Sequence, residues 1–317
     1  MGISFSRRLL LILCVGTLIS VLLVVRDAKY CDVKELNKIV STPSGNRIPY
    51  YTGVSTVKTF GELSGTECRY DSNNTVQCPE VRLKGESMNR QSLLVIARLH
   101  AIFDTICRRY GIPYFVFAGS LLGSQRDGRL IPWDYDSDVG IMMDDFLTLL
   151  KYIRRDLPPD VYFEDGVDNP TLKKFCEARI RDRNSCYGHC LRTGCQRHDG
   201  IQLDIFAFRK LEDDPTKIKS HYYGKILNYG DIFPTTELML EGLRLQGPRI
   251  IQAVNTHMYG PDHLVLPEKS RNQCQKNGYT AIPWYSCEAL QTMPEKEQKE
   301  ILRVSIGHRN WFYWYFG

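Results

Sequence analysis

The sequence has no internal repeat and no low-complexity tract, and neither sign of charge dominates it. Lys and Arg number 41 against 36 Asp and Glu, which gives a net charge of +5. So mild an excess, with no dense stripe of Lys and Arg, indicates no nucleic-acid partner. Hydrophobic residues at 43% and charged residues at 24% exclude an intrinsically disordered chain. The length of 317 residues suits one large domain or two small ones.

A charge-free hydrophobic run, residues 9–25, lies near the start of the chain and follows Arg7 and Arg8. As a helix it would be about 26 Å long, which suits the thinner membranes of the endoplasmic reticulum or Golgi. We therefore predict a cytosolic tail (residues 1–8), a transmembrane signal anchor and a lumenal remainder, the topology of a single-pass type II membrane protein. A cleaved signal peptide is the alternative, but the residues after the run make a poor cleavage site.

Cysteine usage also favours the secretory pathway, because ten of the eleven cysteines lie after residue 30. The sequon Asn73-Asn74-Thr75 lies between Cys68 and Cys78, which indicates a glycosylated loop closed by a disulfide. Four more cysteines fall within twenty residues of one another: Cys176, Cys186, Cys190 and Cys195. They suit either a structural zinc site or two disulfides, and an oxidising lumen favours the disulfides.

The remainder divides into a stem, residues 26–86, and a folded lumenal domain, residues 87–317. The stem is rich in Ser, Thr, Gly and charge and lacks sustained periodicity. In the domain, helical spacing of apolar residues from Leu93 to Tyr110 is followed by the apolar run 114–118, which is typical of a buried strand. Helices and strands alternate beyond that point, so we predict an α/β or α+β fold.

A Gly-Ser pair, Gly119-Ser120, stands where that strand should give way to a short helix. Glycine allows close backbone approach, serine supplies a hydroxyl, and the first N–H groups of a helix point outward. These features suit a phosphate group. Arg126, one to two turns further on, could add a bidentate contact to the same phosphate.

Three aspartates alternate after this helix, at Asp134, Asp136 and Asp138. On an extended chain they project from one face and repel each other, and a divalent cation removes that penalty. Asp204 lies in a second apolar run, 200–206, and needs a partner there. Mg²⁺ or Mn²⁺ shared with the other acids is one answer, and a hydrogen-bonded core aspartate is the other.

The triple aspartate is also compatible with three other kinds of segment. A calcium loop needs glycine at its sixth position, which is Val139 counted from Asp134. A solvated acidic turn is disfavoured by the core-type residues on both sides. The Asp-x-Asp of a sugar-nucleotide glycosyltransferase is too short a signal to exclude, but the upstream Gly-Ser pair favours a nucleotidyltransferase.

The segment Gly119-Ser120-Leu121-Leu122-Gly123, with Arg126 and residues 131–140, resembles the LicD/fukutin family of the nucleotidyltransferase superfamily. The resemblance extends more loosely to residues 203–205, 231–234 and 259–260. It implies a nucleotidyltransferase-like mixed sheet flanked by helices. It also implies a phosphotransferase that moves a phospho-alcohol, such as phosphocholine or ribitol phosphate, from a CDP-linked donor to the hydroxyl of a glycan, glycoprotein or glycolipid.

The resemblance also implies roles for single residues. Asp136 and Asp138 would bind Mg²⁺ or Mn²⁺, with Asp204 as third ligand or as base. Gly119, Ser120 and Arg126 would face the donor phosphates, and Asp134 would lie beside the ligands or at the acceptor. The family also lends some support to the zinc site. A nucleotide-sugar glycosyltransferase and a non-catalytic glycan-binding scaffold remain the alternatives, and the oligomeric state stays open.

Overall fold

The structure is a computed structural model that describes residues 58–63, 65–85, 88–131, 134, 136–170, 172, 176–188, 194, 199–265, 281–299 and 301. These residues fall within one unit of the chain. The predicted cytosolic tail, the predicted anchor at residues 9–25 and most of the predicted stem lie outside the described residues. Within them, no helix combines the length and the apolar character that crossing a bilayer requires.

The described elements alternate between helix and strand for much of the chain, as predicted. In chain order the strands are β1 Arg69–Tyr70, β2 Val76–Gln77, β3 Tyr114–Phe117, β4 Asp136–Met142, β5 Val161–Asp165, β6 Ala178–Asp182, β7 Cys186–Tyr187, β8 Gln202–Lys210, β9 Lys217–Ser220, β10 Ile226–Asn228, β11 Thr236–Leu240, β12 Leu243–Gly247 and β13 Ala281–Ile282. The helices are α1 Met88–Arg109, α2 Ala118–Asp127, α3 Met143–Leu149, α4 Ile153–Asp156, α5 Tyr229–Ile232, α6 Ile251–Tyr259 and α7 Cys287–Thr292.

The central sheet has seven strands and is mixed. The order β10-β9-β8-β4-β3 forms its main path, and β6 pairs with both β8 and β5. Strands β4 and β8 are parallel, while every other pair in this sheet is antiparallel. The fold is therefore a mixed α/β sheet flanked by helices, which confirms the predicted class at that level.

Helix α1 covers one face of the sheet because its apolar residues recur at helical spacing. Leu99, Ile102 and Ile106 are fully buried, and the helix ends just before Gly111, whose φ of +62° suits glycine. His100 of α1 contacts Ser137 of β4, so odd-numbered β4 residues face α1. Even-numbered β4 residues, including Asp136 and Asp138, therefore lie on the opposite face.

The hairpin β1–β2 carries the predicted glycosylation sequon. Cys68 and Cys78 form a disulfide that closes this hairpin, as the sequence predicted. Asn73 is exposed in the turn between the strands, where its backbone N–H donates to Asp71. The acceptor side chain of the sequon is thus accessible, while its glycosylation stays a prediction.

The four-cysteine cluster is corrected by the structure. Cys186 forms a disulfide with Cys287, 101 residues away, because β7 lies beside the start of α7. Cys186 is therefore not available as a ligand in a zinc site made by the four cysteines. It also cannot form a disulfide with another cysteine of the four. Cys176 is a buried free thiol, and Cys190 and Cys195 lie outside the described residues.

Glu177, just before β6 of the central sheet, makes the stability of the protein depend on pH. Its Oε2 accepts a hydrogen bond of 2.8 Å from the Ala207 N–H, and burial raises the pKa of its carboxyl from 4.5 to about 7. The folded state therefore binds a proton that the unfolded state releases, and the free energy of unfolding falls as pH rises between about 4.5 and 7. We expect Glu177→Gln to stabilise the protein at pH 8 by on the order of 1 to 3 kcal/mol and to have little effect at pH 4.5.

Urea unfolding at both pH values, with disulfides intact, measures this effect. Glu288→Gln, on the exposed side of α7, is the matched control. An equal stability change at both pH values would contradict the assignment.

Candidate functional site

The site begins at a strained turn between β3 and α2. Strand β3 ends at Phe117, and Ala118 starts the helix with a φ of +47°, in the left-handed region that disfavours residues with a Cβ. Such strain persists only where surrounding contacts impose it, and it is often found at functional sites. The turn aims the first residues of α2 at the start of the neighbouring strand β4.

Parallel pairing places three carboxylates on one face. Asp138 of β4 is the register partner of Asp204 of β8, and Asp136 is the partner of Gln202. Register partners on adjacent parallel strands lie about 4.8 Å apart and project to the same side. The structure therefore brings Asp136, Asp138 and Asp204 together, while their roles as ligands stay a prediction.

Asp204 has a cationic partner that sequence reasoning missed. Strand β6 places Arg179 opposite Asp204, with its Nε 2.6 Å from Oδ1, and Gln202 Nε2 donates to Oδ2 over 3.2 Å. Burial raises the pKa of Asp204 to about 6; Arg179 opposes this rise and the negative charge of Asp136 adds to it. Of the two partners expected for Asp204, a shared cation or hydrogen bonds within the core, the structure shows protein partners, Arg179 and Gln202, and the role of Asp204 as a metal ligand stays a prediction.

Asp134 lies against the start of α2. A Cβ built on Gly119 would come within 2.4 Å of Asp134 Oδ2, so any larger residue at position 119 would displace this carboxylate. Glycine was expected here to let the backbone approach a phosphate. In the structure, the group that it admits is the side chain of Asp134.

Ser120 and Arg126, which the family resemblance assigned to the donor phosphates, both have partners within the protein. Ser120 is 3% exposed, and its hydroxyl contacts the Ser137 hydroxyl because the turn directs it beneath β4. Arg126 is almost buried in the last turn of α2, where its Nε donates to Asp127 over 2.6 Å. The Ser120 hydroxyl thus has a partner in the core, and the donor contacts of Ser120 and Arg126 stay predictions.

Two tyrosines lie near the acids, and sequence reasoning gave neither of them a role at the site. The Tyr223 ring packs against Phe117 at 4.8 Å and Phe206 at 5.8 Å between centroids. Burial and the negative charge of Asp138 raise the pKa of Tyr223 to about 12. Tyr259 is 42% exposed, and its pKa is raised by partial desolvation and also by the charges of Asp138 and Asp134. An aromatic wall, formed by Tyr223 and Tyr259, therefore stands beside the acids.

The sequence does hold a signal for Arg179. In Ala178–Asp182, arginines alternate with apolar residues that are fully buried. A strand that presents arginine on the face opposite its apolar side chains indicates an acidic neighbour. No comparable local signal marks Tyr223, which follows β9 in a turn.

The donor set fits a divalent cation at Asp136 and Asp138. Mg²⁺ usually takes one or two protein carboxylates and completes its shell with water and substrate phosphates. Asp204 lies close enough for Asp136 to perturb its pKa, but its pairing with Arg179 makes it a less available ligand. The two carboxylates of β4 are therefore the ones that suit Mg²⁺ or Mn²⁺.

A second acidic group already has arginine partners and is a poorer candidate for the metal site. Within the described part of the chain, one set of three acidic residues has oxygens all within 4.8 Å of one another: Glu80, Asp160 and Asp182. Arg82 is ion-paired with both Glu80 and Asp182, and Arg98 lies 2.9 Å from Asp160. Two guanidinium groups already compensate these charges, so the cluster is an ion-pair network in which Asp182 is buried and Glu80 is exposed.

Comparison with known proteins agrees with the motifs. Residues 111–250, somewhat less than half of the chain, match the family model described as LicD/FKTN/FKRP, nucleotidyltransferase domain. The matched range contains β3, α2, β4 and β8, and so all the acids of the site. The resemblance that the motifs predicted is confirmed.

Relatives align over shorter segments. Ribitol 5-phosphate transferase FKRP of Homo sapiens and that of Mus musculus are each 54% identical over 35 residues, which is 11% of this chain and 7% of theirs. Lipopolysaccharide cholinephosphotransferase LicD of Haemophilus influenzae is 32% identical over 76 residues, 24% of this chain and 25% of that protein. The chain thus aligns with a quarter or less of the length of these relatives.

Removal of Arg179 tests the electrostatics of the site independently of activity. In Arg179→Met, Asp204 stays buried beside Asp136 without its cation, and we expect a loss of about 3–5 kcal/mol in the free energy of unfolding, measured with a chelator present. Adding Asp204→Asn should recover much of the loss, because the unpaired charge is gone.

Arg154→Met is the matched control. Arg154 forms ion pairs with Asp165 and Asp168 at the surface, where loss of such pairs costs about 0–1 kcal/mol. If Arg179→Met costs no more than this control, Asp204 does not depend on Arg179.

Proposed function

With a LicD-type nucleotidyltransferase match over residues 111–250 as the premise, we propose that this protein is a metal-dependent phosphotransferase that uses a CDP-linked donor. It moves a phospho-alcohol of the phosphocholine or ribitol-phosphate type to a glycan hydroxyl. The observation that carries the proposal is the pairing of β4 with β8, which groups Asp136, Asp138 and Asp204 beside the strained start of α2. The relatives support the class, since their names describe transfer of ribitol 5-phosphate and of cholinephosphate.

In this proposal, Asp136 and Asp138 hold Mg²⁺ or Mn²⁺ together with the diphosphate of the donor. When bound, the cation neutralises charge on the diphosphate and on the departing CMP. The side chains of β4 fix the place of the phosphorus to be attacked. Arg179 and Gln202 keep Asp204 in one orientation, so that the floor of the site stays rigid.

The chemistry is an in-line displacement at phosphorus. The acceptor hydroxyl oxygen forms the new P–O bond, the P–O bond to CMP breaks, and CMP leaves with the electron pair. We assign the hydroxyl proton to a carboxylate oxygen of Asp134, which lies outside β4 beside Gly119 and is not needed as a ligand. Correct positioning of the two reactants supplies most of the rate.

The aromatic wall is proposed as the place of the cytosine. Tyr223 is held edge-on against Phe117 and Phe206, so its position is set by the core beside Asp138. A nucleobase stacked there would place its diphosphate toward the acids. Stacking on an aromatic side chain contributes about 1–3 kcal/mol per base.

The proposed compartment is the lumen of the Golgi or endoplasmic reticulum. Two disulfides, Cys68–Cys78 and Cys186–Cys287, and the exposed sequon at Asn73 support an oxidising, glycosylating compartment. Residues 9–25 are proposed to anchor the chain in the membrane. Acceptors there are glycans on proteins or lipids.

The carboxylates of β4 provide the decisive variants. We expect Asp136→Asn and Asp138→Asn to fold normally, to lose Mg²⁺-dependent binding of CDP and to lose about a hundredfold or more in transfer rate. Calorimetric titration with CDP, UDP and GDP, followed by transfer assays with CDP-ribitol and CDP-choline, measures both effects. Asp213→Asn, on an exposed loop, is the control.

The nucleotide preference of the unaltered protein separates the alternatives. A preference for UDP would indicate glycosyl transfer instead. Absence of nucleotide binding would leave a glycan-binding scaffold. Full activity in either β4 variant would overturn the assignment of these acids.

Tyr223 tests the location of the base. We expect Tyr223→Ala to weaken CDP binding by roughly tenfold to a hundredfold, while Tyr223→Phe retains most of it. Binding of inorganic pyrophosphate with Mg²⁺ should not change, because pyrophosphate lacks the base. Tyr222→Ala, at the neighbouring position, is the control, and equal losses for CDP and pyrophosphate would contradict the proposal.

A further inference from the structure

A chain of buried hydrogen bonds runs beneath the acids and has no part in the mechanism above. It links His100 of α1, Ser137 of β4 and Ser120 of α2, and it ends at the backbone N–H of Asp138. The three side chains are 0%, 1% and 3% exposed in that order. Three separate elements of the fold are therefore tied together directly behind one of the carboxylates.

The direction of the bonds follows from the donor inventory. The Asp138 N–H can only donate, and Ser120 Oγ lies 3.4 Å from it as acceptor. Suppose that the Ser120 hydroxyl donates to Ser137 Oγ and that the Ser137 hydroxyl donates to His100 Nε2. Each of the two hydroxyls then donates one hydrogen bond and accepts one. One group, the Nδ1–H of His100, is left without a hydrogen-bond partner among the described residues.

The opposite direction of the hydrogen bonds leaves more buried polar groups without a partner. Nε2–H of His100 would donate to Ser137, and Ser137 would donate to Ser120. The Ser120 proton would then have no acceptor within the chain of bonds, and the Nδ1 lone pair of His100 would also be unsatisfied. Each buried polar group without a partner carries a cost, so the first direction is favoured. Burial also lowers the pKa of His100 to about 3, which leaves the ring neutral with one proton to place.

We propose that His100, Ser137 and Ser120 form a positioning chain that fixes Asp138 at the start of β4, and that Ser120 acts through it instead of binding the donor phosphate. The proposal deepens the proposed function and rests on it for the role of Asp138. The single proton of Ser120 is directed to Ser137, away from the face on which a donor would bind. Its hydroxyl oxygen receives the Asp138 N–H, so Ser120 acts on the metal-binding strand through its backbone.

The arrangement explains why a polar chain occupies this part of the core. Apolar contacts between α1, α2 and β4 would tolerate small sliding motions, whereas hydrogen bonds set both distance and direction. Small misplacements of a group that positions reactants cause large rate losses. Loss of any link should therefore have the same consequence, a carboxylate that is present but misplaced.

The tautomer of His100 is the first test and does not depend on activity. In the full chain labelled with ¹⁵N-histidine, we expect His100 to show the neutral Nδ1–H tautomer from pH 5 to pH 8. Ser137→Ala, which removes its partner, assigns the signal. An Nε2–H tautomer, or titration of His100 within this range, would overturn the proposed direction of the chain.

Serine variants test the consequence for the site. We expect Ser120→Ala and Ser137→Ala each to lower kcat about tenfold, with a change of less than twofold in the KM of the CDP-linked donor. The double variant should lie within twofold of either single variant, because one chain is broken in each case. Ser124→Ala, on the same helix and bonded to the Met239 carbonyl, is the control.

A different outcome for the two serine variants would contradict the positioning chain. If Ser120→Ala raises the donor KM tenfold at constant kcat while Ser137→Ala is neutral, Ser120 is a donor ligand and the positioning chain is wrong.

Hydrogen exchange separates this proposal from the proposed function. If no CDP-alcohol is a substrate of the unaltered protein, the proposed function fails and kcat and KM cannot be compared between the serine variants. Amide exchange in residues 136–142 still reports on the chain, and we expect Ser120→Ala to speed it at least tenfold relative to Ser124→Ala. Equal exchange in the two variants would overturn the positioning role.

Discussion

Repulsion among aspartates on one sheet face is the constraint around which this site is built. The parallel register of β4 and β8 places Asp138 opposite Asp204, and Asp136 lies two residues away on the same face. Such a grouping costs free energy unless positive charge is supplied. In the part of the chain that the structure describes, β6 supplies Arg179, which forms an ion pair with Asp204. The carboxylates of β4 suit a cation that arrives with a substrate, because Mg²⁺ usually takes one or two protein carboxylates and completes its shell with water and phosphate oxygens.

The two faces of the sheet divide the work between support and recognition. On one face, Ser137 connects to α1 through His100, and apolar residues of β8 such as Leu203 complete the core. On the other, the acids adjoin an aromatic cluster that includes Phe117, Phe206 and Tyr223. Alternation along a strand lets residues one position apart serve these different purposes. Ser137 and Asp138 are neighbours in sequence, yet one is held in the interior and the other faces the site.

Local sequence patterns were enough to predict the elements that carry the site and the positions of its acids. The helical spacing in α1, the apolar run of β3, the alternation in β4 and the isolated acid of β8 are each visible within ten to twenty residues. Contacts between distant segments were not accessible in the same way. Arg179 meets Asp204 only because β6 pairs with β8, and Cys186 meets Cys287 across 101 residues.

Ser120 shows a further limit of motif reasoning. The Gly-Ser pair was correctly placed at a strand–helix junction, but whether its hydroxyl faces out or in depends on Ser137, on another strand. Likewise Gly119 was expected to let the backbone approach a phosphate, and the close neighbour that the structure shows there is the side chain of Asp134. The residue types were informative, whereas their orientations required the fold.

The most direct measurement of the central claim is anomalous diffraction from crystals of the protein grown with Mn²⁺ and CDP. The account predicts a manganese peak between the carboxylates of Asp136 and Asp138, with diphosphate oxygens completing its coordination. A peak within the Glu80, Asp160 and Asp182 cluster, or CDP bound with no manganese at the β4 carboxylates, would contradict it.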